Sequence, residues 1–170
     1  MSKFEEICQA FVAAKRTHFE ERDACCATAT HLAESFRNYL ESPSYHLVFM
    51  PRSREGSSVK ARTAKESVWY DHDGWHFMLG LSIVDAGDGP RHETGPELMV
   101  AELVLRKSEA GFDVSLNGWP DKFSVPADAN PEACAPLFDF TAQRMIDVYR
   151  QPHMRFLEGG QESQRVLGRK

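Results

Sequence analysis

The sequence predicts an α+β fold. A long N-terminal helix, an antiparallel meander of five or six strands and a C-terminal helix pack as a two-layer sandwich. Three observations carry this. In Trp75 to Val84, WHFMLGLSIV, the residues Trp75, Phe77, Leu79, Leu81 and Ile83 fall on every second position. Successive strand side chains point to opposite faces, so all five share one side of a sheet. Before it, residues 3 to 41 hold apolar groups at three-and-four spacing with no Pro or Gly, the pattern of an amphipathic helix. After it, Leu137, Phe138, Thr141, Met145, Val148 and Tyr149 make a second helical stripe.

The first helix begins at Ser2, with Glu5 placed to complete a capping box. Unbroken, 39 residues would run about 58 Å at ~1.5 Å per residue. That exceeds one small domain, so a bend, a break near Asp23 to Thr30, or an overhang that meets a partner is expected. Lys15, Arg22 and Ala29 occupy heptad positions that a coiled coil would give to Leu or Ile, which favours a packed helix over a free-standing coiled coil.

Ser42-Pro43-Ser44 ends it. Tyr45, Leu47 and Phe49 alternate with His46, Val48 and Met50 in a first strand that stops at Pro51. A polar loop follows, then a weaker strand pattern from Val59 to Tyr70. Asp71-His72-Asp73-Gly74 reads as a type I turn into the Trp75 strand. Asp85 to Pro96, rich in Gly and Pro, reads as a mobile surface loop of a length that is often functional. Strands at Met99–Arg106 and Phe112–Asn117 are joined by Ser108-Glu109-Ala110-Gly111, and a short one runs from Lys122 to Val125. Asn130-Pro131-Glu132 reads as a helix start, with Pro136 a competing start. Residues 1–157 form one domain, and 158–170 read as a disordered polar tail.

At 170 residues the chain can bury a core without staples. Its apolar share of 42% and charged share of 26% are ordinary for a globular protein. A net charge of −5 argues against a general nucleic-acid binder. No stretch is apolar enough for a membrane span. Cys8, Cys25, Cys26 and Cys134 lack C-x-x-C spacing, and MSKFEEICQAF has acids where a signal peptide needs bases. Reduced, mostly buried thiols in a cytoplasmic protein are expected.

No motif for a phosphate, a dinucleotide, a hydrolase nucleophile or a zinc protease occurs. His18, Cys25, Cys26 and His31 do not converge as four tetrahedral ligands would, so neither a metal nor a cofactor is expected. His72 reads as the exposed tip of a turn that Asp73 and Gly74 already explain. His76 projects onto the sheet face away from the core, beside Gly80 and Ser82. Antiparallel sheets usually keep that face wet; were it covered, His76 would be the titratable group of interest and the candidate catalytic residue. Arg52, Arg54, Lys60, Arg62 and Lys65 stand against Glu55 alone, a local charge of +4. They form either a patch for an anionic ligand or acidic partner, or the charges that guard an edge strand.

Three functions compete. A non-enzymatic protein-binding module, self-association included, would use the over-long helix, the outward pair Val100 and Val104, and the polarised charge. A small-molecule binder would hold an apolar ligand between sheet and helices, against Tyr45, Trp75, Phe77 and Phe138. An acid–base enzyme would need a carboxylate about 2.6–3.2 Å from His76.

Overall fold

The first helix starts where its cap places it. Ser2 Oγ accepts from the Glu5 amide at 3.2 Å, and Glu5 Oε2 accepts from the Ser2 amide at 2.6 Å, the reciprocal pair of a capping box. From there α1 runs unbroken over Lys3–Tyr39 in the computed structural model, which describes residues 2–43, 46–52, 63–83, 97–150 and 164–167, the last group as backbone alone. At ~1.5 Å per residue its 37 residues span about 55 Å. No break intervenes. The surplus length is an overhang.

The strands are β1 (Leu47–Met50), β2 (Trp69–Asp71), β3 (Gly74–Ile83), β4 (Glu97–Ser108), β5 (Gly111–Leu116) and β6 (Phe123–Val125), all antiparallel. Their order is β1-β3-β4-β5-β6, with β2 beside β1 on the same edge of β3. Of the Val59 to Tyr70 pattern, Ala64–Ser67 is instead a single helical turn, α2, and only Trp69–Asp71 pairs as strand. Its mixed polar and apolar alternation offered no face to bury. Within 158–170, expected as a disordered tail, Gln164–Leu167 forms β7, parallel to Leu98–Ala101 of β4.

Two turns set the register. His72 and Asp73 link Asp71 to Gly74, and Glu109 and Ala110 link Ser108 to Gly111. The glycines take φ of +146° and +142°, which side chains rarely tolerate. A methyl on Gly111 would also stand 2.5 Å from the Val125 carbonyl oxygen.

Trp75, Phe77, Leu79 and Leu81 sit opposite Leu105, Leu103, Ala101 and Met99. Phe112, Val114, Leu116 and Val125 extend this face. The C-terminal half of α1 covers it with Cys25, Ala29, Leu32 and Phe36, and α3 (Pro131–Arg150) with Cys134, Leu137, Phe138 and Met145. Asn130 caps α3, its Oδ1 accepting from the Glu132 amide at 3.0 Å. Pro136 lies inside the helix rather than starting it. Thr28 and Ser35 of α1 donate to the carbonyls of Ala127 and Ala129, pinning the turn before α3.

The opposite face is not wet. Met50, Met78 and Val100 are buried there as a second apolar cluster, with Val48, Trp69 and Leu98 against it. Gly80 makes room: Met50 lies over it, and a methyl there would come within 2.9 Å of Met50 Cγ. The pairs Met50–Met78 and Gly80–Val100 join these residues into one patch, so Val100 and Val104 are enclosed by their own chain rather than offered to a partner.

Candidate functional site

Two features of the structure stand out: a buried charge network around His76, and the bare half of α1.

His76 leaves β3 on the face away from the helices. The two-residue turn brings Asp73 back beside it, and the β3–β4 register sets Glu102 two pairs along, opposite Met78 on the same face. Glu102 Oε1 lies 3.0 Å from His76 Nδ1, and Asp73 Oδ1 lies 2.6 Å from Nε2. Arg106 Nη2 donates to Asp73 Oδ2 at 3.2 Å. The ring stacks on Trp69, which β2 places opposite, with centroids 5.4 Å apart. Arg52 covers Trp69 in turn, its guanidinium 5.7 Å from a ring centroid.

His76 is 4% exposed. Burial alone would lower its pKa, but hydrogen bonds and attraction from Glu102 and Asp73 outweigh this and raise it. For Asp73 burial pushes upward, and the bonds to His76 with the charges of His76 and Arg106 hold the carboxyl below its ordinary range. Both ring nitrogens face carboxylates, so the ring fits as an imidazolium that donates twice. Two carboxylates, an imidazolium and a guanidinium sum to zero charge. An imidazolium engaged at both nitrogens has no lone pair with which to take a proton. These bonds tie β3, β4 and the turn together.

Beside Asp73 and Arg106, under α1, lies a cavity of about 260 Å³ lined by Cys25, Tyr70, Trp75, Leu105, Lys107 and Phe112 among others. Of the residues expected to hold an apolar ligand, Trp75 reaches this cavity. Phe77 is fully buried against Phe49, and Phe138 packs against Phe36 and Tyr39. Tyr45 lies outside the described residues. Cys25 is no nucleophile here, since burial first, and then Cys26 and Glu21, push its thiol up to about 12.

The basic run divides. Arg52 lies on Trp69 and Lys65 is exposed on α2, while Arg54, Lys60 and Arg62, like the loop at 85–96, fall outside the described residues. No group of His, Cys, Asp and Glu among the described residues could hold a metal ion, and no described helix is long and apolar enough to cross a membrane.

The bare half of α1 is the larger surface. Every residue from Lys3 to Glu20 is exposed, and Phe4, Ile7, Phe11 and Val12 are 64–73% open to solvent. The sheet begins at His18, whose ring stands 5.0 Å from that of Trp75 and 6.1 Å from that of Tyr70. At 3.6 residues per turn, positions eighteen apart share one azimuth. Ile7 thus lies in line with Cys25, Cys8 with Cys26, and Phe11 with Ala29. The side of the helix that the sheet buries in its second half continues, still apolar, into water in its first half.

Spacing alone missed Glu102 and Arg106 as partners of His76, and it set Asp73 near His76 but read that residue as part of the turn. The available signal was Glu102 itself, a lone acid inside the apolar run Met99 to Leu105. Among family models, curated proteins and solved structures, none matches this chain.

Proposed function

We propose that this protein is a protein-binding module that docks through the N-terminal half of α1. One observation carries the reading: the apolar stripe that roofs the sheet runs on past the sheet's edge, with Phe4, Ile7, Phe11 and Val12 bare. Isolated helices of about 12–15 residues are marginal in water. Contiguous exposed apolar patches larger than a few hundred Å² mark interaction sites. A helix-in-groove or helix-on-helix contact uses i, i+3, i+4 and i+7 anchors, which Phe4, Ile7, Cys8 and Phe11 supply.

The test compares the wild-type chain with the variant Phe4→Ser/Ile7→Ser/Phe11→Ser. These side chains touch nothing in the sheet, so the variant keeps its core. Wild type is expected to hold an associated chain that the variant loses. Amide exchange across residues 3–18 should be at least tenfold slower in the associated state. Equal association by both proteins, or an overhang that exchanges freely throughout, would overturn the reading.

A second reading, a small-molecule site, is supported by the cavity beside Asp73 and Arg106. At about 260 Å³ it lies near the lower bound of ligand pockets. A thermal-shift screen with small apolar anions and zwitterions tests it; no shift from any of them would dispose of it.

A further inference from the structure

Resting on that docking reading, we infer that the occupant of the stripe is a second copy of this chain, its α1 lying antiparallel with the two-fold axis near Phe11.

The sheet edge dictates the geometry. A helix laid on the stripe must stop at His18, where Trp75 and Tyr70 begin to fill the same side of α1. A parallel copy cannot do so, because it would bring its own sheet into the space the first already occupies. An antiparallel copy can. With Phe4 of one chain at His18 of the other, the overlap runs from the Ser2 cap to the sheet edge and centres on Phe11. Each free stretch is then covered along its length, and neither body is in the way. Phe4 of each copy lands on the other's aromatic edge of His18, Phe19 and Tyr70, where Tyr70 is 54% exposed and Phe19 44%.

Charge agrees. In this register Glu6 of the acidic first turn falls level with Arg16 of the other copy, and Glu5 with Thr17, one residue from that arginine. A parallel register would instead set Lys15, which lies within the stripe, against itself. Like charges so placed repel.

Area also fits. Phe4, Ile7, Phe11, Val12 and Phe19 together expose on the order of 500 Å² of apolar surface, and an isologous contact doubles it. The total of about 1,000 Å² is near the lower bound for a specific interface. A weak dimer in exchange with monomer is the expectation.

Sedimentation velocity from 1 to 300 µM tests the partner, and cysteine cross-linking tests the register. Wild type should pass from monomer to dimer across that range, with Phe4→Ser/Ile7→Ser/Phe11→Ser monomeric throughout and its circular dichroism retaining the folded sheet. In a Cys8→Ser background, Phe11→Cys should form an interchain disulfide under mild oxidation. Phe4→Cys should not, because the two copies of residue 4 would stand about 21 Å apart along the axis, fourteen residues at ~1.5 Å. Disulfides from both variants would overturn the antiparallel register. A wild type that stays monomeric at 300 µM would overturn self-pairing. If the stripe variant then also abolishes binding of a different protein, the docking reading survives without it; if it changes nothing, both fall.

Discussion

Replacing His76 by Leu removes the centre of the charge network and leaves its rim. Glu102 keeps a side chain only 11% exposed and loses the cation 3.0 Å away. Breaking one partner out of a buried pair costs about 3–5 kcal/mol. Asp73, about a third exposed and still held by Arg106, adds little to this. Glu102→Leu should cost less, about 1–3 kcal/mol, because Asp73 still satisfies the ring at Nε2. The double variant no longer strands Glu102 and leaves only the part-exposed Asp73, still held by Arg106, without the imidazolium; it should be less destabilised than the two single costs together by about 1–3 kcal/mol. pH sharpens the test. The pKa of His76 is higher folded than unfolded, so its contribution is complete below the unfolded value of about 6.5 and disappears as pH rises through the folded value. In that window the stability difference between wild type and His76→Leu should shrink by up to about 1.4 kcal/mol per pH unit. Urea unfolding of the four proteins at steps from pH 5.5 to 9 measures both effects. Strict additivity, or a difference that ignores pH, would refute the network as described.

Three further outcomes follow from the same geometry. Asp73, held below its ordinary range, contributes stability above about pH 3.9 that is lost as pH falls through its folded value; the penalty of Asp73→Asn in urea melts should therefore fade on acidification. Ser67 Oγ donates to the Met50 carbonyl at 2.8 Å and accepts from the Met78 amide at 3.2 Å in a buried site. Ser67→Ala should thus cost about 1–3 kcal/mol in chemical denaturation. Of the four thiols only Cys8 is exposed, while burial raises Cys25 to about 12 and Cys134 to about 11. A chromogenic disulfide reagent should label one thiol quickly and the other three only on unfolding.

Periodicity made the layers legible. Alternation from Trp75 to Ile83 and the three-and-four spacing of α1 each follow from burying one side of a regular element, so reading the side read the element. The two turns were legible because Gly74 and Gly111 occupy conformations that few residues accept. Less was visible where spacing is silent. Whether the second sheet face was wet depended on Met50 and Met78 meeting across strands and on Gly80 leaving room, which is a matter of register. The partners of His76 were hidden for the same reason: Asp73 is near in sequence but aimed by the turn, and Glu102 arrives from another strand. From length alone an overhang was one of three outcomes, beside a bend and a break near Asp23 to Thr30. That its bare stripe is in line with the buried one needed only the azimuths, once the helix was known to be continuous.

The sheet has long central strands and short rims. β4 and β3 have twelve and ten residues, whereas the outer edge of β3 is shared by β1 and β2, of four and three, with a helical turn between them, and β6 at the far side has three. Unpaired backbone on such stubs is too short a template for another chain to zip onto. Growth by strand addition along the described edges is thus discouraged.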